Sequence, residues 1–400
     1  MRKYRKDIEE NIISILRKIK NNDQMINKVK QLAIDNGMLS GEVIRLFVNH
    51  EKIRDIGIGS LYLFMIQLFK VSQDKTINPN ILDLYNPETK ARFLTKLGNK
   101  SQDIYLRIFE VSSEVEYKRK KDLYELNLDD IEIILYTLRP LTNDISHVNG
   151  RIVTSYLNWC IEKELISTNL LTEKNVDWFS QFVDKDIQLY YSESEIRKIE
   201  DNCANYQDNV IVRLLFEGVQ GSAMSEIRNV QRKDVNHDTN EIKVRNERGD
   251  ERIVNVSDRA MNMIQNAFAQ IVYIKKNGHM LPDTHMSDKT NLVENDYLIR
   301  SSLTKTISFN KEVDKIVLYR RIQTIAETLG YEKSSLTAKN IVRSGMIYEG
   351  KKILDEKGSL EREDYLNICA KYNMNPNNWY PLKRFINEKV IGKLYKNNSR

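Results

Sequence analysis

Leu214-Leu215-Phe216-Glu217-Gly218-Val219-Gln220, followed by Ser225-Glu226-Ile227-Arg228-Asn229-Val230 and Lys233-Asp234-Val235, is the stretch whose reading decides the fold. An apolar helix predicted over Asn209–Phe216 stops at Gly218, and a second starts near Ser222 and carries Glu226, Ile227 and Val230. Two short runs with period-two alternation come next, Glu241–Arg245 and Glu251–Val256. The loop between them holds Gly249-Asp250, so they predict a β-hairpin. Helices are predicted beyond it over Arg259–Lys275, Lys311–Leu329, Ala338–Glu356, Arg362–Tyr372 and Asn378–Tyr395. Ser192 with Glu195 three residues on forms a capping box that opens this region.

Upstream the pattern is helical throughout. Ile8, Ile12, Ile15, Leu16 and Ile19 recur as one apolar stripe. A helix is expected over Ser40–His50, and Leu61–Phe69 is apolar on every side, which predicts burial. Asn127 stands as N-cap, Asp130 lies near the positive end of the helix dipole, and Pro140 ends that helix. Val153, Tyr156, Leu157, Trp159, Cys160 and Ile161 line the core face of the next. The expected organisation is a helical extension over 1–98, a helical domain over 99–176, a linker over 177–189 and an α+β domain over 190–400.

Composition agrees. The 400 residues include 15 Gly and 6 Pro, few breakers for a chain rich in Leu, Ile, Lys and Glu, which excludes a collagen-like chain and disfavours a β-sandwich. With 62 basic and 56 acidic residues the net charge is +6, compatible with nucleic-acid binding if charge is segregated by face. Cys160, Cys203 and Cys369 form no C-x-x-C pair, as expected in a reducing compartment. The basic start leads into a charged helix rather than an apolar leader core. Ile56–Val71, broken by Gln67 and Lys70, is too short to span a bilayer. A cytoplasmic chain without a membrane partner is expected. His50, His147, His237, His279 and His285 are scattered, and no phosphate-binding G-x-x-x-x-G-K-[ST] loop occurs, so no metal or cofactor is expected.

Four features, in order, resemble the tyrosine recombinase (phage integrase) family. Ser155–Asn169 resembles the last helix of its core-binding domain. The 214–235 stretch is similar to its first box, a Gly-x-Arg turn followed by Ser-Glu-Leu and Asp-Ile, and the 241–256 hairpin follows. Leu336-Thr337-Ala338-Lys339-Asn340-Ile341-Val342-Arg343-Ser344-Gly345 resembles the second box, His-x-Leu-Arg-His-Ser. The resemblance covers roughly residues 100–400. It implies a mainly α fold with a small β component (α+β): a helical, SAM-like core-binding domain plus a catalytic-like domain.

The chemistry implied by the resemblance is attack of a tyrosine on a DNA phosphate. Two arginines, a lysine and histidine-type groups stabilise the phosphorane. Gln220 stands at the first arginine's position, and a neutral amide cannot clamp two phosphate oxygens with a charged fork. Gly221-Ser222-Ala223 is inserted before Ser225-Glu226. Aligning Ser344 with the family serine puts Lys339 at the histidine and Val342 at the second arginine. A shift by one residue makes Arg343 that arginine and Asn340 the histidine's replacement. No histidine lies beyond Ser344, so the third box is absent, and Glu247 or Arg248 holds the hairpin lysine's place. The tyrosine's position falls nearest Phe385, with Tyr380 and Tyr395 as fallback nucleophiles that also read as packed or surface residues. No catalytic residue is therefore expected.

Basic residues remain on the elements that the resemblance turns toward DNA. They are Lys118, Arg119, Lys120 and Lys121 in the core-binding-like domain, then Arg228, Arg232 and Lys233, Lys243, Arg245, Arg248 and Arg252, Arg320 and Arg321, Lys339 and Arg343, and Lys383 and Arg384. The resulting expectation is a two-lobed, sequence-specific binder of double-stranded DNA that has lost recombinase chemistry. Its role would be that of a phage or prophage transcriptional regulator or repressor, as a homo-oligomer on DNA, with residues 1–98 open to a protein or peptide partner. The alternative is an active, divergent site-specific recombinase that uses Arg343, Lys339, Arg248 and a C-terminal tyrosine.

Overall fold

The computed structural model describes residues 2–19, 21–39, 41, 56–72, 78, 80–280, 287–303 and 311–396. The chain divides into two compact units, Met1–Lys185 and Asp186–Arg400. The structure is mainly α with a small β component, as expected. Apart from Gly41, the helix expected over Ser40–His50 lies outside the described residues.

The first unit contains α1 (Arg2–Ile19), α2 (Asp23–Asp35), α3 (Ile58–Ser72), α4 (Pro87–Leu94), α5 (Asn99–Arg119), α6 (Leu128–Thr137), α7 (Asn143–Glu162) and α8 (Val176–Ser180). The Ile8–Ile19 stripe is buried, and α3 buries Leu61 through Ile66 and Leu68. Each such side chain contributes about 1.5–3 kcal/mol of apolar burial. One core runs from Ile8 to Phe182, so residues 1–98 form part of this unit rather than a separate extension. Asn127 caps α6 by accepting from the Asp130 N–H at 2.9 Å.

A buried ion cluster joins the two halves of that core. The Lys90 ammonium of α4 donates to Glu116 of α5 at 2.6 Å, to Asp122 at 3.3 Å and to the Tyr85 carbonyl at 2.7 Å. Tyr156 of α7 donates to Asp122 at 2.9 Å. Burial raises the Glu116 carboxyl pKa above its ordinary value, against the pull of Lys90. Burial likewise pushes the nearby Cys160 thiol up to about 12, which leaves it a packing residue. The expected linker is corrected at its start. Phe179 and Phe182 are buried, and a Cβ on Gly150 of α7 would fall 2.0 Å from the Phe179 ring. These aromatic anchors hold α8 to the first unit.

The second unit runs through α9 (Glu193–Asp201), α10 (Tyr206–Phe216), α11 (Ser225–Arg228), β1 (Val235–Asn236), β2 (Glu241–Arg245), β3 (Glu251–Asn255), α12 (Asp258–Ala269), β4 (Val272–Ile274), β5 (Lys289–Asn291), α13 (Lys315–Thr328), α14 (Ala338–Lys357), α15 (Arg362–Lys371), α16 (Trp379–Leu382) and α17 (Glu388–Lys396). The Ser192–Glu195 capping box opens α9. Val210–Phe216 of α10 are all buried. α14 approaches α10 so closely that a Cβ on Gly345 would lie 1.8 Å from the Phe216 carbonyl oxygen. The Tyr372 hydroxyl donates to that same oxygen at 2.7 Å. Strands β1–β3 form an antiparallel sheet in which Lys243 pairs with Ile253 and Arg245 with Glu251.

Several helix boundaries differ from the sequence reading: α10 starts at Tyr206 rather than Asn209, and α11 is confined to Ser225–Arg228. α12 ends at Ala269, and the β-branched and aromatic run Val272-Tyr273-Ile274 pairs with β5 instead. α13 begins at Lys315 because Asp314 caps it, accepting from the Ile316 N–H at 2.8 Å. The helix expected over Asn378–Tyr395 is broken into α16 and α17, with Phe385 and Ile386 turned into the core between them. Pro381 in α16 is compatible with only a first helical turn.

Replacing Lys90 by Met leaves Glu116 and Asp122 buried without their cation. The expected loss is about 3–5 kcal/mol, measured as a lower urea midpoint for the first unit. An unchanged midpoint would contradict the role given to the cluster.

Candidate nucleic-acid interface and degenerate catalytic site

The turn after α10 is the centre of the site. Gln220 donates its backbone N–H to Glu226 Oε2 at 2.9 Å, and its side-chain amide donates to the Tyr372 carbonyl. The inserted residues and Met224 after them then take an unusual path, with Gly221 at φ 67°, Ala223 at 51° and Met224 at 59°. A left-handed conformation costs a non-glycine residue about 1–2 kcal/mol. Arg228 helps hold the turn by donating to the Ala223 carbonyl at 3.2 Å.

Glu226 is 1% exposed. Arg252 of β3 forms a two-pronged bond to it, Nε to Oε1 at 2.8 Å and Nη2 to Oε2 at 2.7 Å. Asn373 adds a bond to Oε1 at 3.0 Å. Burial alone would raise the Glu226 carboxyl, but Arg252, the Gln220 N–H and Asn373 outweigh it and hold the pKa below its ordinary 4.5. Arg252 also donates to the carbonyls of Gly218 at 2.8 Å and Lys371 at 3.1 Å.

The second box lies on α14, capped by Thr337. Val342, which one alignment sets at the second-arginine position, is 6% exposed and belongs to the core. Arg343 is half-buried and stacks on the Phe385 ring, 4.9 Å from its centroid. It is also a side-chain partner of the Tyr190 hydroxyl, a residue the sequence reading did not single out. Tyr190 and Phe385 lie with ring centroids 5.8 Å apart. Lys339, one helical turn before Arg343, is exposed. Asn340 turns inward and donates to the Ser335 carbonyl at 2.7 Å.

Phe385, 8% exposed, is thus the ring placed against Arg343 from the C-terminal segment. Tyr380 is 67% exposed and packs on Trp379. The Tyr395 hydroxyl accepts from the Glu193 N–H at 3.3 Å, and burial raises its pKa well above that of free tyrosine. Among the described residues no group of three or more His, Cys, Asp and Glu is arranged to hold a metal. No described helix is long and apolar enough to cross a membrane.

The basic residues divide in two. Arg228, Arg252 and Arg321 are corrections, because the structure uses them internally. Arg228 reaches the Val313 carbonyl at 3.4 Å and Glu247 at 3.1 Å. Arg321 is 6% exposed, donates to the Arg300 carbonyl at 2.7 Å and lies 3.5 Å from Asp208. Arg232 is exposed and stacks on Phe268, with Lys233 exposed beside it. Lys243 and Arg245 share the outer sheet face and both pair with Glu251, at 2.6 and 2.9 Å. Arg248 at the hairpin tip, Arg320 on α13 and Arg384 after α16 are exposed. Lys383 lies over the Trp379 ring at 5.3 Å. In the first unit Lys118, Arg119, Lys120 and Lys121 are all exposed, although Lys118 pairs with Glu114 and Arg119 with Asp130, each at 2.8 Å.

The sequence matches the family described as MrpR, C-terminal catalytic domain, over residues 190–396, and that described as MrpR, N-terminal core-binding domain, over 84–162. It is 27% identical over 322 residues to the SPbeta prophage-derived protein YopR of Bacillus subtilis (strain 168), a match that spans 78% of this chain and 97% of that one. Similar solved structures include a lambda integrase (75–356) dimer bound to a COC′ core site, at 9% identity and TM-score 0.41 over 78% of this chain and 95% of that one. Another is the XerH recombinase on palindromic difH, at 11% identity and TM-score 0.39 over 92% and 94%.

Because the folded pKa of Glu226 lies below 4.5, its ionised form adds stability that is present above that value and fades as the pH falls through the folded pKa. The stability gap between the unaltered chain and Glu226→Gln is therefore expected to be wide at about pH 6 and to narrow by about pH 3.5. Urea unfolding of the second unit measures it; a gap independent of pH would contradict the assignment.

Proposed function

The chain belongs to the MrpR family, with the core-binding and catalytic domains of a tyrosine recombinase, and on that premise we propose that it binds duplex DNA sequence-specifically as a prophage regulator and cleaves no strand. The observation that carries this reading is the pairing of Phe385 with Arg343: the ring that the C-terminal segment sets against the second-box arginine has no hydroxyl. Gln220 supports it, since its neutral amide is spent on the Tyr372 carbonyl. A transition state deprived of one charged donor loses about 3 kcal/mol of stabilisation, and one without a nucleophile has no covalent step at all.

Binding needs less than catalysis. Phosphate contacts from lysine and arginine supply affinity and set register, while base edges supply specificity. Lys120 and Lys121 on the first unit, beside the surface-paired Lys118 and Arg119, and Lys233, Arg248 and Arg320 on the second, are exposed, and that placement suits such contacts. The prophage origin of the Bacillus subtilis relative favours a lysogeny-linked regulatory role over a housekeeping one.

Selection of genomic fragments at two salt concentrations tests the proposal. A site-preferring complex whose affinity falls steeply with salt is expected. Arg248→Ala and Arg320→Ala are each expected to flatten the log–log salt slope by about one while leaving the thermal midpoint in place. Arg321→Ala, by contrast, should lower the midpoint. Binding without site preference, or without salt dependence, would overturn the reading.

A further inference from the structure

Residues 220 and 252 address neighbouring acceptors near the first-box turn. The Gln220 amide donates to the Tyr372 carbonyl, and Arg252 Nη1 donates to the carbonyl of the preceding residue, Lys371, at 3.1 Å. The Gln220 backbone N–H and Arg252 Nη2 both end on Glu226 Oε2, at 2.9 and 2.7 Å. Arg252 Nη2 also bonds the carbonyl of Gly218, two residues before Gln220, at 2.8 Å. Positions 220 and 252 therefore meet at one carboxylate and one helix end.

We propose that Arg252 is a relocated guanidinium. From β3 it fills the place beside Glu226 that an arginine at position 220 would take, and it makes of that place an internal tie that positions the hairpin. The geometry gives the reason. Position 220 starts from a backbone already bonded to Glu226, which puts the longer side chain of an arginine there within reach of the same carboxylate. With Arg252 present, Glu226 has none to spare: Oε1 takes Arg252 Nε and Asn373 Nδ2, and Oε2 takes Arg252 Nη2 and the Gln220 N–H. A second guanidinium would leave an unpaired positive charge beside a buried carboxylate, whereas a neutral amide reaches the Tyr372 carbonyl at no such cost. The loss of charge at 220 and its gain at 252 are then one coupled change. Arg252 is a positioning residue. What it positions is the β2–β3 hairpin, whose outer face carries Lys243 and Arg245. The coupling concerns the fold of the second unit and stands whether or not the chain binds DNA.

A double-mutant cycle on the full chain tests it, with the thermal midpoint of the second unit as readout. Arg252→Gln leaves Glu226 without its cation and is expected to lower the midpoint by on the order of 10 °C. Adding Gln220→Arg to that background is expected to restore at least half of the loss. In the unaltered chain Gln220→Arg is expected to give no gain. Additive effects, with the double variant no more stable than Arg252→Gln alone, would overturn the proposal. Should Arg252→Gln give no folded protein, recovery of folded protein on adding Gln220→Arg is the expected result, and failure to recover it overturns the proposal equally.

Discussion

Glu226 accepts four hydrogen bonds and ties together the turn after α10, strand β3 and the end of α15. A buried carboxylate is tolerated only when such partners replace its hydration, and here a forked guanidinium supplies most of that replacement. The consequence is structural and chemical at once. The polar side chains of the site are spent inside the fold: Arg252 on Glu226, Gln220 on the Tyr372 carbonyl, and Arg343 on Phe385 and Tyr190. Around them the strained turn at Gly221–Met224 persists because Arg228, Glu226 and the backbone of Gln220 hold it from several directions.

Much of the fold was legible because it rests on local signals. The Ile8–Ile19 stripe, the Asn127 cap, the Ser192–Glu195 box and the alternation of the hairpin each act within one or two turns of chain, and each stands in the structure as read. Boundaries failed where a local preference was overridden. The run at Val272–Ile274 found a strand partner some fifteen residues on, at Lys289–Asn291, and Phe385 and Ile386 broke a helix to reach the core. The apparent linker failed as one because Phe179 and Phe182 are apolar anchors, a signal visible in the sequence but outweighed by its polar surroundings.

The site was legible in outline only. Gln220 and Phe385 stand out in the sequence because each departs from an ordered motif. Residue type alone did not reveal which basic side chains the fold consumes. Arg228, Arg252 and Arg321 look like Arg248 and Arg320 on paper, yet the first three end on Glu247, Glu226 and Asp208. Strand alternation held the one usable clue: Lys243 and Arg245 on β2 share a face, and Arg252 on β3, paired with Val244, points to the other. Tyr190 carried no signal, since its partners Arg343 and Phe385 are distant in sequence.

The proposed function requires a fold that holds DNA and has no nucleophile to attack it. The most direct measurement is a denaturing gel of the chain incubated with a nicked duplex carrying its selected site, a substrate that traps any phosphotyrosyl bond once formed. All protein is expected to run free of DNA. A denaturant-resistant band, abolished by Tyr190→Phe, Tyr380→Phe or Tyr395→Phe, would contradict it and would make that tyrosine the nucleophile.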